Sequence, residues 1–389
     1  MNAALFTFLW DFVDEGVDDV TAYIRDLGIT RVLVASQYHA GFFMHPHNPR
    51  RKTHLLEDGV SYFHPDPSLY DGLTICPIPA SMCADRDWFA LVCERLVDRG
   101  LEVSAWHVCL HNTPLGLRHP DATVRNAYGD SYPHALCPAH PDAVAFVEAT
   151  VKDVATNYPL ASVMLEAPNY RKRAHGSDWV SGHHHERESV YLRPLEQDLM
   201  DVSFNSADVK QAEDAGIDME TLRLAIIAHM DRYFEDAPVI PKDLPDSLEK
   251  FCDAVPAYAA HEQHCRAAEE RLLLTMKDAL AGTGVQLEAG VSPHVDWVMG
   301  GGYGLNLEET AAAARRARDE LLPHQRLNFA MRMGFNNPGM GTPIVSEAET
   351  CAMAQAVAAA GADEVVFYNY GEAPRRSVDW IKPALAGLD

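Results

Sequence analysis

The chain alternates short apolar runs with amphipathic segments of helical length, and this alternation constrains its fold more than any other feature. Short apolar runs indicate buried strands, while an apolar period near 3.6 residues indicates helices. Repeated β–α alternation with apolar strands predicts a parallel sheet enclosed by helices. The predicted strands are 5–10, 31–35, 101–108, 161–166, 285–289, 327–333 and 364–368, and the predicted helices are 17–27, 88–98, 142–156, 307–321, 347–359 and one from 378.

The number of strand–helix units selects the architecture. Seven clear units and an eighth, degenerate one around 297–299 predict an α/β fold, a TIM-like (β/α)8 barrel, with a distorted barrel left open. We predict a single barrel domain over residues 1–389, with long inserted loops after strands 2, 3 and 4 and a loop excursion over about 167–245. A doubly wound sheet is disfavoured, because Asp11-Phe-Val-Asp-Glu-Gly16 after the first strand is not a glycine-rich phosphate loop.

Charge and cysteine content exclude several classes of partner. Lysine and arginine total 32 against 56 acidic residues, a net charge of −24, which disfavours nucleic acid and anionic membranes. No apolar run is long enough to span a bilayer, and the N-terminus lacks the basic segment of a signal peptide. The eight cysteines form no CxxC pair and indicate reduced thiols. We therefore expect a cytoplasmic protein with a small-molecule ligand and no nucleic-acid or membrane partner, and we leave a homodimer open.

Histidines concentrate in the predicted loops after strands 2, 3 and 4, at the end of the barrel where active sites are found. His134 lies between Pro133 and Pro138, on a stretch that we expect to be a stiffened loop just before a helix. His107 and His111 have the spacing of a zinc motif, but they lie at a strand end, which does not support such a site. The run 183–185 is more typical of a solvated loop than of a metal site. We expect neither a metal ion nor an organic cofactor.

Carboxylates also gather at the predicted strand ends. Facing carboxylates at a barrel rim suit glycoside hydrolysis, since one group protonates the leaving oxygen while another activates water or attacks the anomeric carbon. The basic run 171–173 is the strongest local attractor for an anionic substrate in this acidic chain. The candidates are Asp11 and Asp14 after strand 1, Glu166 at the end of strand 4, Glu288 within strand 5 and Glu372 after the last strand.

Three segments carry a resemblance to a known family. Phe8-Leu-Trp-Asp-Phe-Val-Asp-Glu-Gly16, Ala105-Trp-His-Val-Cys-Leu-His-Asn112 and Leu136-Cys-Pro-Ala-His-Pro-Asp142 resemble glycoside hydrolases with a (β/α)8 barrel. Within that group the chain is similar to glycoside hydrolase family 156, the inverting exo-sialidases. The resemblance covers the barrel, and its motifs are short. It implies exo-acting cleavage of terminal sialic acid from glycoconjugates.

The resemblance also implies the catalytic groups, an aspartate after the first strand and a histidine on the loop after the third. The matching positions are Asp14, with Asp11 as its competitor, and His134. An inverting enzyme needs one group as the base that activates water and another as the acid. The sequence leaves open which of Asp14 and His134 is the acid.

Binding a sialic acid requires an arginine or several polar donors for its carboxylate. Arg332 ends a predicted strand and is therefore better fixed than the loop arginines. The full set of predicted substrate-binding residues is Asp11, His107, Asn169, Tyr170, Arg171, Glu166, Arg332 and Asn336.

Two other classes stay open at this stage. A metal-dependent barrel hydrolase or isomerase acting on a sugar-like substrate would use several of the 19 histidines as ligands, but no His-x-His follows strand 1. A non-catalytic carbohydrate-binding barrel would keep the aromatic side chains and lose the acid/base pair. Metal analysis tests the first class, and turnover of aryl glycosides tests the second.

Overall fold

The computed structural model describes residues 1–173, 190–237, 239–302, 305–333 and 346–388. Eight parallel strands close into a barrel, because the first strand pairs with both the second and the last. This confirms the TIM-like (β/α)8 fold. The barrel strands are β1 (Asn2–Thr7), β2 (Arg31–Tyr38), β7 (Glu102–Val108), β10 (Ser162–Glu166), β11 (Gln286–Ala289), β12 (Trp297–Gly301), β13 (Arg326–Arg332) and β14 (Glu364–Tyr368).

Short strands also lie outside the barrel, in the segments inserted after β2 and β7. Two of them form an antiparallel hairpin after β2, and two others form one after β7. These extra strands are β3 (Phe42–Met44), β4 (Thr53–Leu55), β5 (Val60–Ser61), β6 (Ile78–Pro79), β8 (Thr123–Arg125) and β9 (Ser131–Leu136).

Helices follow most barrel strands, as the alternation predicts. The distortion of the barrel lies at its fifth unit, since only residues 290–296 connect β11 to β12 and they contain no helix. The helices are α1 (Leu9–Glu15), α2 (Val17–Asp26), α3 (Trp88–Asp98), α4 (Thr113–Arg118), α5 (Pro141–Asn157), α6 (Pro194–Met200), α7 (Ser206–Asp214), α8 (Met219–Asp236), α9 (Leu248–Ala254), α10 (Ala257–Ala279), α11 (Leu307–Asp319), α12 (Glu347–Ala359), α13 (Arg375–Asp379) and α14 (Ile381–Ala386).

The first strand ends earlier than the sequence predicts. The apolar run 5–10 suggests a strand up to Trp10, but β1 ends at Thr7 and α1 begins at Leu9. The Asp11 carboxylate accepts the backbone N–H of Phe8 at 2.8 Å, and such a bond satisfies one of the free donors at a helix start. Asp11 and Asp14 therefore lie on a short helix rather than on a loop.

The excursion after β10 is a helical lobe rather than a long loop. Its described part contains α6, α7, α8 and α9, which enclose an apolar core of their own, separate from the barrel core. The amphipathic pattern of α8 and its cap, in which Asp218 accepts from Thr221 N–H, were present in the sequence. Among the described residues, no helix combines the length and the apolar character needed to cross a bilayer.

A buried ionic network fills the amino-terminal half of the barrel. Arg31 of β2 forms ion pairs with Glu288 of β11 at 2.7 Å and with Glu364 of β14. Its guanidinium also donates to the hydroxyls of Ser104 at 2.8 Å and Ser162 at 3.3 Å. Glu288, a candidate rim carboxylate from the sequence, is therefore a structural group inside the barrel.

Replacing the arginine at the centre of this network should destabilise the fold strongly. Arg31→Met leaves the buried Glu288 without its cation and leaves Glu364 with Arg326 alone, and breaking a buried ion pair costs about 3–5 kcal/mol of unfolding free energy. The matched control is Arg95→Met, which removes half-exposed ion pairs with Asp18 and Asp98 and should cost less than about 1 kcal/mol. Urea unfolding of the two variants measures both values, and equal losses would contradict this account of the barrel.

Candidate active site

A cavity of about 400 Å³ opens where the barrel strands end. Phe6, Trp106 and Tyr368 form an aromatic floor, with ring centroids 4.9–5.9 Å apart in edge-on geometry. Such edge-on packing is favourable for aromatic rings and holds them rigidly. The lining residues are Phe6, Trp106, Met164, Leu165, Glu166, Ala167, Pro168, Gly290, Met299 and Tyr368.

Glu166, the last residue of β10, is the carboxylate in the wall of this cavity. Trp106 Nε1–H donates to its Oε2 at 2.6 Å, and His39 Nε2 lies 3.6 Å from its Oε1. Burial raises the pKa of Glu166, but the neighbouring His39, with smaller effects of Trp106 and Arg171, outweighs burial and leaves the pKa below its usual range. The site therefore favours the ionised carboxylate.

Three imidazoles continue from Glu166 along the same side of the barrel mouth. The rings of His39 and His111 stack with their centroids 4.5 Å apart, and the ring of His111 lies 6.0 Å from that of His134. All three side chains are buried. The structure thus brings the predicted residues Glu166 and His134 to one region, with His39 and His111 between them.

His134 lies in strand β9 rather than on a loop. The proline-restrained stretch is extended, as the sequence predicts, and it pairs with β8. Its imidazole Nε2 lies 2.9 Å from the carbonyl oxygen of Lys172. A carbonyl only accepts hydrogen bonds, so Nε2 carries the proton and the ring is held in one tautomer.

The carboxylate of Asp14 is bound by other side chains of the protein. Arg51 binds both carboxylate oxygens, at 2.7 and 2.8 Å, and Asn48 donates to one of them at 3.0 Å. The side chain is fully buried in this ion pair. The structure therefore gives Asp14 a structural task, which is to hold the turn between β3 and β4. Its catalytic role stays a prediction that rests on the resemblance.

Two further carboxyl groups lie where β1 and β14 end. Burial raises the pKa of Asp11 well above its usual value, and the nearby charges of Glu15, Glu372 and Asp14 act in the same direction. Burial also raises the pKa of Glu372 to about 8. Glu372 is therefore biased towards the protonated form at neutral pH, and the shift of Asp11 has the same direction. The substrate contact of Asp11 stays a prediction.

Two predicted substrate-binding residues have their polar atoms engaged inside the protein. His107 bonds with Ser36 at 3.0 Å and with Thr150 of α5 at 3.0 Å, so it lies between the barrel wall and a helix. Because Trp106 points into the barrel, His107 must point outward. This corrects the prediction that His107 faces the substrate. The Tyr170 hydroxyl likewise donates to Asp208.

The predicted arginines lie near the mouth. Arg332 is buried at the end of β13, in register with Tyr368 of the cavity wall. Burial lowers the pKa of Arg171, opposed only by the charge of Glu166, and burial also lowers the pKa of Arg332. Asn169 is exposed on the segment after β10, and Asn336 lies outside the described residues, as does the histidine run 183–185.

Sequence reasoning missed several groups that form the cavity. Trp106 could have been identified, because inward-facing positions alternate along β7 and it lies near the strand's end. His39 directly follows β2, but nothing in its neighbourhood predicts a contact with Glu166. In the described part of the chain, no group of three or more His, Cys, Asp or Glu side chains is arranged to bind a metal ion. The expectation of metal-free chemistry stays a prediction.

Comparison with known proteins supports the fold. No protein-family model matches the sequence, and no curated protein matches it significantly. Among solved structures, α-L-fucosidase isoenzyme 2 from Paenibacillus thiaminolyticus matches with a TM-score of 0.59 and 12% identity, covering 100% of this chain and 49% of that one. A β-galactosidase from the psychrophilic Marinomonas ef1 matches at 0.58 and 14%, covering 100% and 59%. The catalytic domain of β-amylase from Paenibacillus polymyxa matches at 0.53 and 10%, covering 99% and 97%.

These neighbours are glycoside hydrolases, and at such low identity the likeness shows the shared barrel fold alone. The chain spans only about half of the fucosidase chain and about three-fifths of the galactosidase chain. Its length corresponds to nearly the whole amylase catalytic domain.

The buried His107 should make stability depend on pH. Burial lowers its pKa to about 3, whereas an unfolded histidine titrates near 6.5. Between these values the unfolded state binds the extra proton, so the contribution of His107 is complete above about pH 6.5 and is lost as pH falls towards 3. The loss approaches about 1.4 kcal/mol per pH unit. In His107→Gln the unfolding free energy between pH 6 and 4 should depend less steeply on pH, and an unchanged slope would contradict this.

His39 should be the group that keeps Glu166 ionised. Replacing it in His39→Leu removes the neighbouring imidazole, so burial should raise the pKa of Glu166 above its value in the wild type. Carbon-13 NMR of labelled glutamate carboxyls measures this titration directly. The control is His47→Leu, which removes a histidine of the same insertion, between β3 and β4, that bonds to the carbonyl of Ala373. Identical Glu166 titrations in the two variants would refute the assignment.

Proposed function

We propose that this protein is a glycoside hydrolase that acts on an anionic sugar. The reaction in this proposal is the exo-acting removal of terminal sialic acid with inversion of the anomeric configuration, as the resemblance implies. A small anionic glycoside is its ligand. The observation that carries the proposal is the Glu166 carboxylate in the wall of an aromatic cavity at the carboxyl ends of the barrel strands.

The cavity has the features that sugar chemistry needs. Aromatic rings such as Trp106 and Tyr368 offer flat apolar surfaces on which the carbon face of a sugar ring packs. Glu166 supplies a carboxylate at the same surface, in its ionised state. An ionised carboxylate activates water as a general base in an inverting mechanism. Glu166 is therefore our leading candidate for that role, and Asp14, one of the two catalytic groups that the resemblance implies, is the alternative.

The proton donor must be a second group at the same mouth. The resemblance implies His134 as one member of the acid/base pair, and we take it as a candidate for the donor. The contacts from Glu166 through His39 and His111 connect His134 to the cavity region. Glu372 is the other candidate, because its pKa of about 8 keeps it protonated at neutral pH. Groups whose pKa values are pushed apart by their surroundings are the usual acid and base of such sites.

The anionic character of the substrate is supported by the two arginines. Arg332 and Arg171 are desolvated near the mouth, and guanidinium groups bind carboxylates in paired hydrogen bonds. A terminal sialic acid carries such a carboxylate. The fucosidase, galactosidase and amylase among the structural neighbours support the broader class of glycoside hydrolases, without selecting the sugar.

A screen of methylumbelliferyl glycosides tests this function. We expect turnover of the sialoside to exceed that of uronides and neutral glycosides, and we expect Glu166→Gln to lower kcat by roughly 10²–10⁴. The matched control is Glu102→Gln, a change at the opposite, exposed end of β7, which should leave kcat unchanged. NMR of the released sugar should show the inverted anomer first.

The possible outcomes test the substrate, the catalytic base and the hydrolase activity separately. Faster turnover of neutral sugars would reject the anionic substrate and keep the hydrolase assignment. Wild-type activity in Glu166→Gln together with loss of activity in Asp14→Asn would assign the base to Asp14. Absence of turnover on every glycoside would reject the function as a whole.

A further inference from the structure

Asp208, in the first turn of α7, is a fully buried carboxylate on which three separate segments converge. Tyr170, after β10, donates its hydroxyl to one carboxylate oxygen, and Ser203, just before α7, donates to the other. Cys137, which directly follows β9, also donates its thiol, at 3.1 Å. Among the described residues no lysine or arginine forms an ion pair with Asp208. These donors are therefore what offsets the cost of burying its charge.

Two of these donors, Tyr170 and Cys137, lie next to active-site groups in the sequence. Tyr170 immediately precedes Arg171 and follows soon after Glu166, while Cys137 directly follows the strand that carries His134. Tyr170 also packs against the small apolar cluster of the β8–β9 hairpin. This cluster consists of Val124, Tyr132, Ala135, Cys137 and Ala139.

The helical lobe is fastened to the same hairpin at several further points. Asn205 donates to the carbonyls of Asp121 and Thr123 at 2.7 and 2.8 Å, and Phe204 N–H donates to the carbonyl of Arg125 at 2.6 Å. On the other side of the hairpin, the carbonyl of His134 accepts the N–H of Asn112 at 3.1 Å. The lobe and the barrel loops thus hold β9 between them.

The segment after β10 in turn fixes the His134 ring. Lys172 lies two residues beyond Tyr170, and its carbonyl accepts the Nε2–H of His134 at 2.9 Å. The backbone N–H of Tyr170 is itself held by Glu269 at 3.0 Å. Movement of Tyr170 would therefore move the acceptor that selects the His134 tautomer.

We propose that Asp208 is a positioning residue of the active site, which holds Tyr170 and Cys137 together and so fixes the orientation and tautomer of His134. The inference rests on the proposed function, because only there does His134 take part in the reaction. It gives the helical lobe a task, which is to fix the geometry of a group carried by the barrel insertions.

Asp208→Asn is the sharpest test, because it changes the hydrogen-bonding capacity with almost no change in volume. An asparagine amide has one acceptor oxygen, and its NH2 group would face a donor, so it cannot accept from all three segments. Tyr170→Phe is the second variant, and it removes only one donor while keeping the ring packing. Either variant tests the proposal if the other folds poorly.

Nitrogen-15 NMR of histidine-labelled protein reads the tautomer directly, with the His134 signal assigned from His134→Gln. In the wild type we expect the shifts of a single Nε2–H tautomer. In Asp208→Asn and Tyr170→Phe we expect averaging between the two tautomers. On the best glycoside, kcat should fall by about 10²-fold with a smaller change in KM, the usual size for a displaced catalytic group.

The matched control is Glu196→Gln. Glu196 is a second fully buried carboxylate in the first turn of a helix of the same lobe, where it binds Arg193 and His229. Within the described ranges, no hydrogen bond or ion pair joins it to the 170–172 segment. This variant should lower the melting temperature and leave the His134 signals and kcat at wild-type values. Unchanged His134 signals in Asp208→Asn and Tyr170→Phe, or equal changes in Glu196→Gln, would overturn the proposal. If the wild type turns over no glycoside, the proposed function fails, while the NMR comparison still decides the role of Asp208.

Discussion

The rest of the barrel depends on the ion pairs and hydrogen bonds that the Arg31 guanidinium forms. It joins strands β2, β7, β10, β11 and β14 through Ser104, Ser162, Glu288 and Glu364. Buried ion pairs of this kind are often no better than apolar packing in net stability, so their value lies in the single register that satisfies every partner. A shift of one residue in any of these strands would turn Arg31 or one of its polar partners to the outer face.

That register also determines which side chains face inward at the carboxyl-terminal end of the barrel. Side chains alternate along a strand, so the strand that directs Glu364 to Arg31 also directs Tyr368 into the cavity. The same holds for Ser104 and Trp106 on β7, and for Ser162 and Glu166 on β10. The carboxylate and aromatic floor of the candidate site are therefore fixed by the structural network below them. The imidazoles, in contrast, come from inserted segments and need other supports.

The sequence contained the information for the strand-borne half of the site. The β–α alternation predicted the barrel, and the position of Glu166 at a strand end placed it at the mouth. It could not show that Arg51 pairs with Asp14, because an ion pair across the β3–β4 turn depends on how that insertion folds back. The outward orientation of His107 could have been predicted together with the inward orientation of Trp106, because neighbouring residues on a strand point to opposite faces. The helices of the lobe could have been predicted from their capping residues, but the length of the excursion led to its interpretation as a loop.

Electrostatics links the candidate site to the composition of the whole chain. A net charge of −24 would repel the anionic substrate that we propose at long range, so its binding would depend on short-range groups inside the mouth. Burial lowers the pKa of Arg171, which indicates that its guanidinium has lost hydration that the carboxylate of the proposed substrate would restore. In the described part of the chain, the Nε of Arg171 is buried without a hydrogen-bond partner. A sugar carboxylate that accepts from this nitrogen would offset a desolvation cost that the folded protein already carries. The affinity for an anion would then come from this prepared site and not from the overall field.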